Sequence, residues 1–416
     1  MKIALITYEY PPDTAIGGIA TYMYQAASML SHRSHYVEVF AGSQHRTTTK
    51  TESGIVINRI KIESHEKFPE EVGQIFAERH RVVDFHVLEG PEFGASARTA
   101  VKLVPDIPLV VKLHTPSFLV RKINYFEPSW QMKARRYIGA LRRFQKPEPF
   151  EKLHYDYLND LERLHVLDAD EIVTPSIDLG EQLVRAWQLR EREVSYIPNP
   201  YTPSKELLKI PCDTHNNVVT FIGRLEIRKG ILELADAIPE ILKNHSNTKF
   251  RLVGADHLSP QPNVGMQDYL KRKLRCYKDS IEFTGIVTPE LIPSILATTD
   301  ICVFPSRWEN FPNVCLEAMA AARGVVGGNA GGMAEMLHRN NAGLLVPPYN
   351  FQKIADAVIK LLDNPDLRMQ LGQAARQRVL SEYNCEKIVL LQEASYIRAI
   401  ERRKLLGSRG ANRNDY

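Results

Sequence analysis

Cysteine is scarce in this sequence, and several familiar signatures are absent. The five cysteines form no C-x-x-C pair, so the chain carries neither a disulfide framework nor a structural zinc site, and we expect a reducing, cytoplasmic compartment. No run approaches the roughly 18–20 apolar residues that a membrane-spanning helix needs. A G-x-G-x-x-G dinucleotide fingerprint and a Walker P-loop are also missing. The net charge of +4 is too mild to indicate a nucleic-acid partner.

The length and the hydrophobic pattern predict two domains. A single hydrophobic core stops growing beyond roughly 250–300 residues, so 416 residues need at least two cores. Short apolar runs alternate with helical periodicity, which is typical of βαβ units and parallel sheets. Strands are predicted at 3–7, 37–40, 83–88, 109–113, 172–174, 218–222, 250–253, 281–284, 301–304, 325–326 and 344–346. Helices are predicted at 231–242, at 354–362 and from 386 to about 403.

A weak internal repeat favours two domains of like topology. Residues 170–176 match residues 300–306 in the pattern D-x-x-V-x-P-S, and each segment leads through a strand that follows a helix. Chance similarity between two short strands is the alternative. The proline-rich stretch 197–203 breaks any regular element, so the boundary is expected there. We therefore predict an α/β fold of two doubly wound domains, with ligands in the crevice at the carboxyl ends of the strands.

The clearest local motif is the segment 306–320, which contains two carboxylates. A helix is predicted to begin near Asn313, whose side chain suits an N-cap. The start of a helix offers free N–H groups to an anion. Glu309 lies in the loop and Glu317 in the early helix, and carboxylates accept hydrogen bonds from the vicinal hydroxyls of a sugar or ribose. The alternative is that both carboxylates are merely solvated charges.

A second motif places cations after another predicted strand. The segment 221–230 reads F-I-G-R-L-E-I-R-K-G, with Arg224 and Lys229 in the short loop before the next helix. A guanidinium fork and a compact ammonium group together match the negative charges of a diphosphate. A solvated basic turn is the alternative explanation of this loop.

Two weaker features follow strands of the first half. Gly17 and Gly18 lie between the first predicted strand and a helix, where paired glycines let a ligand approach the backbone closely. His114 follows the hydrophobic run at 109–113. Each feature alone has an ordinary explanation, because a glycine pair also makes a plain turn and a single histidine at a strand end is more often structural than catalytic.

Together, these motifs resemble the family-four retaining glycosyltransferases of the GT-B fold (glycosyl transferases group 1). The resemblance rests on the glycine pair, on His114, on G-R-x-x-x-x-K-G at 223–230 and on the E-x7-E pair of Glu309 and Glu317. Further matches are F-T-G at 283–285, G-G-M-A-E at 331–335 and G-L-L-V-P at 343–347. Two departures are N-F-P at 310–312, where G-F-G is commoner, and N-P-Y at 199–201, where N-G-V is usual.

The resemblance implies a domain organisation. Its fold has two Rossmann-like domains that face each other across a cleft, and a C-terminal helix that returns to the N-terminal domain. For this chain it implies an N-terminal acceptor-binding domain over residues 1–197, onto which the helix in 386–416 packs. Residues 198–385 would form the nucleotide-sugar-binding domain.

The resemblance also implies roles for individual residues. Arg224 and Lys229 would bind the diphosphate of the donor, and Glu317 would accept hydrogen bonds from the ribose. Glu309 would hold the transferred sugar, and His114 would touch that sugar near the reacting carbon. The other implied contacts are Gly17 and Gly18 against phosphate and acceptor, Asn310 and Phe311 at the sugar, Asn313 and Val314 at phosphate, and Gly254 and Ile286 at the base.

The reaction that the resemblance implies is transfer of a hexose from a nucleotide diphosphate sugar to an acceptor hydroxyl, with retention of configuration. UDP-glucose is the first choice of donor, and the acceptor would be a saccharide or lipid-linked saccharide in polysaccharide or glycolipid biosynthesis. No cofactor and no metal are expected, because Arg224 and Lys229 supply the positive charge. We interpret the D-A-D triplet at 168–170 as structural rather than metal-binding. A nucleotide-sugar epimerase and a non-catalytic sugar-nucleotide binding protein are the alternatives.

One region suggests a further partner. Residues 121–146 contain eight basic side chains, one acidic side chain and five interleaved aromatic ones. Such a surface can dock on anionic lipid headgroups, which predicts peripheral contact with the inner face of a membrane. A solvated helical face or a groove for an anionic acceptor is the alternative.

Overall fold

The structure is a computed structural model that describes residues 1–14, 17–45, 47–125, 130, 134, 137–140, 155–190 and 194–409. Its strands are β1 (Lys2–Thr7), β2 (Tyr36–Ser43), β3 (Thr48–Glu52), β4 (Ile55–Lys61), β5 (Val87–Pro91), β6 (Leu109–Lys112), β7 (Glu171–Thr174), β8 (Val194–Tyr196), β9 (Val218–Ile222), β10 (Lys249–Val253), β11 (Ile281–Gly285), β12 (Ile301–Phe304), β13 (Gly324–Gly328) and β14 (Leu344–Val346). The helices that frame them are α1 (Gly18–His32), α2 (Phe68–Val83), α3 (Arg98–Leu103), α4 (Ser117–Asn124), α5 (Leu161–Leu167), α6 (Ile177–Trp187), α7 (Lys205–Lys209), α8 (Ile231–Asn244), α9 (Met266–Lys273), α10 (Ile292–Ala297), α11 (Asn313–Ala320), α12 (Met333–Met336), α13 (Phe351–Asp363), α14 (Pro365–Glu382) and α15 (Cys385–Leu406).

The strands form two sheets of doubly wound topology. The first has the order β3-β4-β2-β1-β5-β6-β7-β8, and all its neighbouring strands are parallel except the pair β3 and β4. The second has the order β11-β10-β9-β12-β13-β14 and is parallel throughout. In each sheet the strand order reverses beside a central strand, and this is where the crevice at the carboxyl ends opens. The predicted α/β fold is confirmed.

Helices cover both faces of the first sheet, which explains why its strands read as continuous apolar runs. On β1, Ile3 and Leu5 pack with residues of α1 and α15, whereas Ala4 and Ile6 pack on the opposite face with residues of α2. All four side chains are fully buried. Burial on alternate faces follows from the two-residue period of a strand.

The predicted strands overlap observed ones, but one boundary was wrong and three strands were missed. Val83 was predicted to begin a strand, yet it ends α2, because Asp84 adopts a left-handed conformation with φ of 57° and stops the helix. The sequence prediction missed β3, β4 and β8. β3 consists of threonines and charged residues on the exposed edge, and its antiparallel pairing departs from the expected parallel pattern.

The long last helix, α15, returns to the first sheet, as predicted. It contacts α1, β5, β6 and β7. Asp170, in the turn before β7, is fully buried and binds Arg403 of α15 and Arg409 beyond it, each at 2.5 Å. The same carboxylate accepts the N–H of Leu109 at 2.8 Å. These contacts give Asp170, the last residue of the D-A-D triplet, a structural role. The first sheet ends at Tyr196 and the second begins with Val218, and the domain boundary between 197 and 198 stays a prediction.

Removal of the Asp170 carboxylate should destabilise the first half strongly. The variant Asp170→Ala leaves Arg403 and Arg409 without their shared anion, and breaking such a buried ion pair costs about 3–5 kcal/mol. Urea denaturation of the variant and the wild type measures this difference. The control is Glu401→Gln on the exposed side of α15, which should change the free energy of unfolding by no more than about 0.5 kcal/mol. Equal stability of Asp170→Ala and wild type would contradict the account.

Candidate active site

The two halves of the chain meet through the side chain of Asn310, in the loop after β12. Its Nδ2 donates to the carbonyl oxygen of His114, which follows β6, and its Oδ1 accepts from the hydroxyl of Ser176, which follows β7, at 2.7 Å. Asn310 is buried. The loops at the carboxyl ends of both sheets are therefore in direct contact, so the residues they carry share one cleft.

Glu309, beside Asn310, is buried and surrounded by cations. One oxygen, Oε1, forms an ion pair with Lys229, lies 3.7 Å from Nη1 of Arg228 and accepts from the hydroxyl of Ser306 at 2.9 Å. Burial alone would raise the pKa of this carboxyl, but Lys229 and Arg228 outweigh it and hold the pKa below its usual range. The carboxylate is therefore ionised at neutral pH. The structure brings together two residues that the sequence placed in separate motifs.

A glycine makes this approach of the two loops sterically possible. Gly230 closes the cation loop with a left-handed φ of 72°, and a Cβ there would lie 1.9 Å from the carbonyl oxygen of Pro305, which follows β12. Any side chain at 230 would push the loop that carries Lys229 away from the loop that carries Glu309.

Arg224 lies in the loop that carries Lys229 and is more exposed to solvent than Lys229. Its Nη2 binds Oε1 of Glu226 at 3.1 Å, and the side chain is about half exposed. In the loop after β1 of the first sheet, Glu9 is mostly buried, and burial raises its pKa although the N–H of Ala20 and the charge of Arg224 partly oppose the rise. Arg224 therefore lies close enough to act electrostatically on the first half of the chain. The sequence interpretation did not single out Glu9.

Glu317 is a largely buried carboxyl on α11. Burial raises its pKa from 4.5 to about 7. No hydrogen-bond partner for its side chain occurs in the described part of the chain. The prediction that Asn313 caps this helix was wrong, because the N-cap is Pro312 and Asn313 is the first helical residue. The N–H groups of Asn313 and Val314 have no partner within the helix, as is general for the first turn.

His114 is buried at the end of β6. Burial, assisted by the charge of Lys112, lowers the pKa of its imidazole to about 3, so the ring is neutral at physiological pH. Its Nε2 is buried and has no hydrogen-bond partner among the described residues. The backbone N–H donates to both carboxylate oxygens of Glu92 at 2.8 Å, and the edge of the Tyr22 ring packs against the imidazole at 5.3 Å between centroids.

The glycine pair lies where α1 begins. Gly17 is the N-cap and Gly18 the first helical residue, while residues 15 and 16 lie outside the described part of the chain. A Cβ on Gly17 would lie 3.1 Å from Oε2 of Glu9, whereas the space beside Gly18 is open. The backbone at Gly17 is thus next to the carboxylate of Glu9, whose raised pKa is lowered in part by the charge of Arg224.

The remaining predicted residues lie at the ends of neighbouring strands or in the core. Gly254 follows β10 and donates its N–H to the carbonyl oxygen of Gly285 at 2.8 Å, and Ile286 after β11 is highly exposed. Phe311 is buried against Tyr383 with an edge-on ring contact, so its ring belongs to the core. Most of the basic segment 121–146 lies outside the described residues.

Family models match nearly the whole chain in two adjoining parts. Residues 16–205 match the description Glycosyltransferase Family 4, and residues 206–378 match Glycosyl transferases group 1. The chain belongs to the group 1 glycosyltransferases of family 4. The resemblance inferred from the motifs is thereby confirmed.

Similar proteins and structures agree with this membership. An uncharacterized glycosyltransferase from Methanocaldococcus jannaschii is 25% identical over 93% of this chain and 96% of that protein. A glycogen synthase from Mycobacterium tuberculosis is 23% identical over 96% and 95% of the two chains. Sucrose-phosphate synthase from Thermosynechococcus elongatus superposes with a TM-score of 0.72 at 22% identity and covers 96% of this chain and 99% of that one. The last likeness shows that the chain has the GT-B fold.

HepE from Anabaena, solved in complex with UDP and glucose, has a TM-score of 0.64 at 16% identity and covers 95% of this chain and 99% of that one. This likeness concerns the fold. Among the helices that the structure describes, none has the length and apolar character needed to cross a bilayer.

The unusual pKa of Glu317 predicts a pH-dependent stability. Because burial raises the folded-state pKa above the unfolded one, the folded protein should lose stability as the pH rises from about 4.5 towards 7. The variant Glu317→Gln lacks this ionisation, so it should be more stable than wild type at pH 8 and about equal to it near pH 4. Thermal unfolding at both pH values measures the difference.

The exposed Glu401→Gln, away from the first turn of α15, is the control and should track wild type at both pH values. An unchanged difference between Glu317→Gln and wild type from pH 4 to pH 8 would show that Glu317 does not titrate near neutrality.

Proposed function

We propose that this glycosyltransferase is a retaining hexosyltransferase that uses a nucleotide diphosphate sugar, with UDP-glucose as the first choice of donor. The observation that carries the proposal is the ion pair between Lys229 and the buried Glu309. Arg224 lies on the same loop as Lys229, and Asn310, next to Glu309, donates to the carbonyl oxygen of His114. Cations for a diphosphate and a carboxylate for sugar hydroxyls thus occupy one cleft. Similar structures solved with UDP-glucose, and with ADP and acarbose, support such a donor.

In this proposal Arg224 and Lys229 bind the diphosphate. Negative charge grows on the leaving phosphate as the bond to the sugar breaks, and preorganised cations stabilise that charge. The departing phosphate oxygen takes the proton of the acceptor hydroxyl, and the acceptor oxygen bonds to the anomeric carbon on the face from which the phosphate leaves. Attack on that face retains the anomeric configuration. These two side chains supply the positive charge, so we propose that the reaction needs no metal. The N–H groups of Asn313 and Val314 add to the phosphate site.

Glu309 serves as an acceptor for sugar hydroxyls rather than as a nucleophile. The described contacts of its carboxylate all involve Oε1, which is held by Lys229 and Ser306. Its other oxygen, Oε2, is left for a hydroxyl of the transferred hexose. An ion-paired carboxylate with a depressed pKa is a weak nucleophile, which favours the binding role.

His114 contributes a neutral hydrogen-bonding group. With a pKa of about 3 it is not protonated at neutral pH, so it does not act as an imidazolium acid. The buried and unpartnered Nε2 suits a sugar hydroxyl near the reacting carbon. Glu317 in turn suits the ribose hydroxyls, because its carboxyl is otherwise without a partner in the described part of the chain. We assign Gly254 and the backbone at Ile286 to the base.

The acceptor and the setting complete the proposal. The domain over residues 1–197 would bind a saccharide or lipid-linked saccharide, and the domain over 198–385 the donor. We assign Gly17 and Gly18, where α1 begins, to contacts with the phosphate and the acceptor. A glycogen synthase among the relatives supports polysaccharide biosynthesis. A cytoplasmic location and contact of residues 121–146 with anionic lipid remain predictions.

A screen of nucleotide sugars, without acceptor and with EDTA present, tests the proposal. We expect one donor, UDP-glucose first, to be hydrolysed with retention as followed by NMR of the released sugar. Lys229→Ala should lower the rate about 10²–10³-fold, which is typical for loss of one group that stabilises developing charge. Lys243→Ala, an exposed substitution on α8, is the control and should leave the rate unchanged.

Several outcomes would contradict the proposal. An isomerised donor without release of the sugar would indicate an epimerase, and binding without turnover, even with saccharide acceptors, would indicate a binding protein. Activity that vanishes in EDTA and returns with manganese would overturn metal independence.

A further inference from the structure

Five charged side chains of the cleft form a continuous row of ion pairs in which positive and negative charges alternate. Arg224 binds Glu226 at 3.1 Å, and Arg228 binds the same Oε1 of Glu226 at 2.7 Å. Nη1 of Arg228 lies 3.7 Å from Glu309, which also pairs with Lys229. The row therefore begins and ends with the two cations proposed to bind the diphosphate.

The middle of the row is more enclosed than its first member. The side chains of Glu226, Arg228 and Glu309 are 17%, 13% and 10% exposed, whereas that of Arg224 is 52% exposed. Arg228 is thus held between two carboxylates. Its guanidinium has several N–H donors in a planar fork, so it can serve both carboxylates at once, which the point charge of a lysine does less well.

The backbone fixes Arg228 in this position. It lies in the short 3-10 turn Ile227–Lys229, which closes when the N–H of Lys229 donates to the carbonyl oxygen of Glu226 at 3.0 Å. Its own carbonyl oxygen accepts from the N–H of Arg307 at 2.9 Å. Arg307 is in turn bound to Glu233 at 2.8 Å. The central cation is therefore tied to both loops of the cleft.

Glu226 and Glu309 pair with the cations that the proposed diphosphate needs. A diphosphate must compete with them, and a buried carboxylate that loses its compensating positive charge is costly. Arg228 reduces this conflict, because the two carboxylates still share its positive charge when Arg224 and Lys229 turn towards the ligand.

We infer that Arg228 is a positioning residue for donor binding, which retains Glu226 and Glu309 while the two outer cations engage the diphosphate. The inference rests on the proposed function, since it assumes that a nucleoside diphosphate binds there. It assigns no contact between Arg228 and the ligand. Glu226, in the same scheme, is the anion that pairs with Arg224.

A double-mutant cycle tests the inference with UDP and ADP as probes in isothermal titration calorimetry. Arg228→Met should weaken binding of the nucleoside diphosphate about tenfold or more, because Glu226 and Glu309 then compete with the ligand for Arg224 and Lys229. Adding Glu226→Gln to Arg228→Met should restore part of the lost affinity, because only Glu309 then still competes with the ligand, and such a coupling is not shown by independent sites. Glu226→Gln alone should bind as tightly as wild type or more tightly.

Two further variants serve as a conservative substitution and as a control. Arg228→Lys keeps one positive charge and should bind with intermediate affinity, so the inference stays testable if Arg228→Met does not fold. Arg185→Met, at an exposed position of α6, is the control and should bind like wild type.

The outcomes separate this inference from the proposed function. Unchanged affinity in both Arg228 variants would overturn it, and so would a loss that Glu226→Gln fails to rescue, because Arg228 would then touch the ligand or simply support the fold. If wild type bound neither UDP nor ADP, the proposed function itself would fail and this inference with it.

Discussion

Burial of the Glu309 carboxylate is the constraint on which the cleft depends. An ionised carboxylate at this depth needs compensating charge, and Lys229 and Arg228 supply it. These ion pairs hold the loop after β9 against the loop after β12. The close approach is possible because Gly230 has no Cβ that would clash with Pro305. A cluster of cations therefore forms where the parallel strands end.

The neighbouring residue extends this constraint to the other half of the chain. Asn310 binds the carbonyl oxygen of His114 and the hydroxyl of Ser176. The loop that carries Glu309 is therefore held at a fixed distance from His114. Further along the contact, Glu335 of α12 accepts the N–H groups of Ile177 and Asp178 at 2.9 Å. Because these contacts cross between the sheets, the geometry of the cleft depends on the docking of both halves.

The sequence predicted the apolar strands and the chemistry of the loops, because both depend on local pattern. It did not predict β3, since a polar strand on an exposed edge has no hydrophobic signal. Nor did it predict how the charges pair, because Lys229 and Glu309 are 80 positions apart and meet only in the folded chain. For the same reason the position of Arg228 between Glu226 and Glu309 was not predicted, because in the sequence it is one of three cations in a basic loop. The N-cap of α11 is Pro312, which has an extended backbone and no capping side chain, so side-chain preference did not reveal it.

A crystal structure of the protein with bound UDP tests the central claim most directly. The account predicts that the diphosphate lies within hydrogen-bonding distance of Arg224 and Lys229, with the Lys229 ammonium turned away from Glu309 and the ribose hydroxyls facing Glu317. A diphosphate found far from both cations, or a nucleotide bound outside the contact between the two sheets, would contradict it.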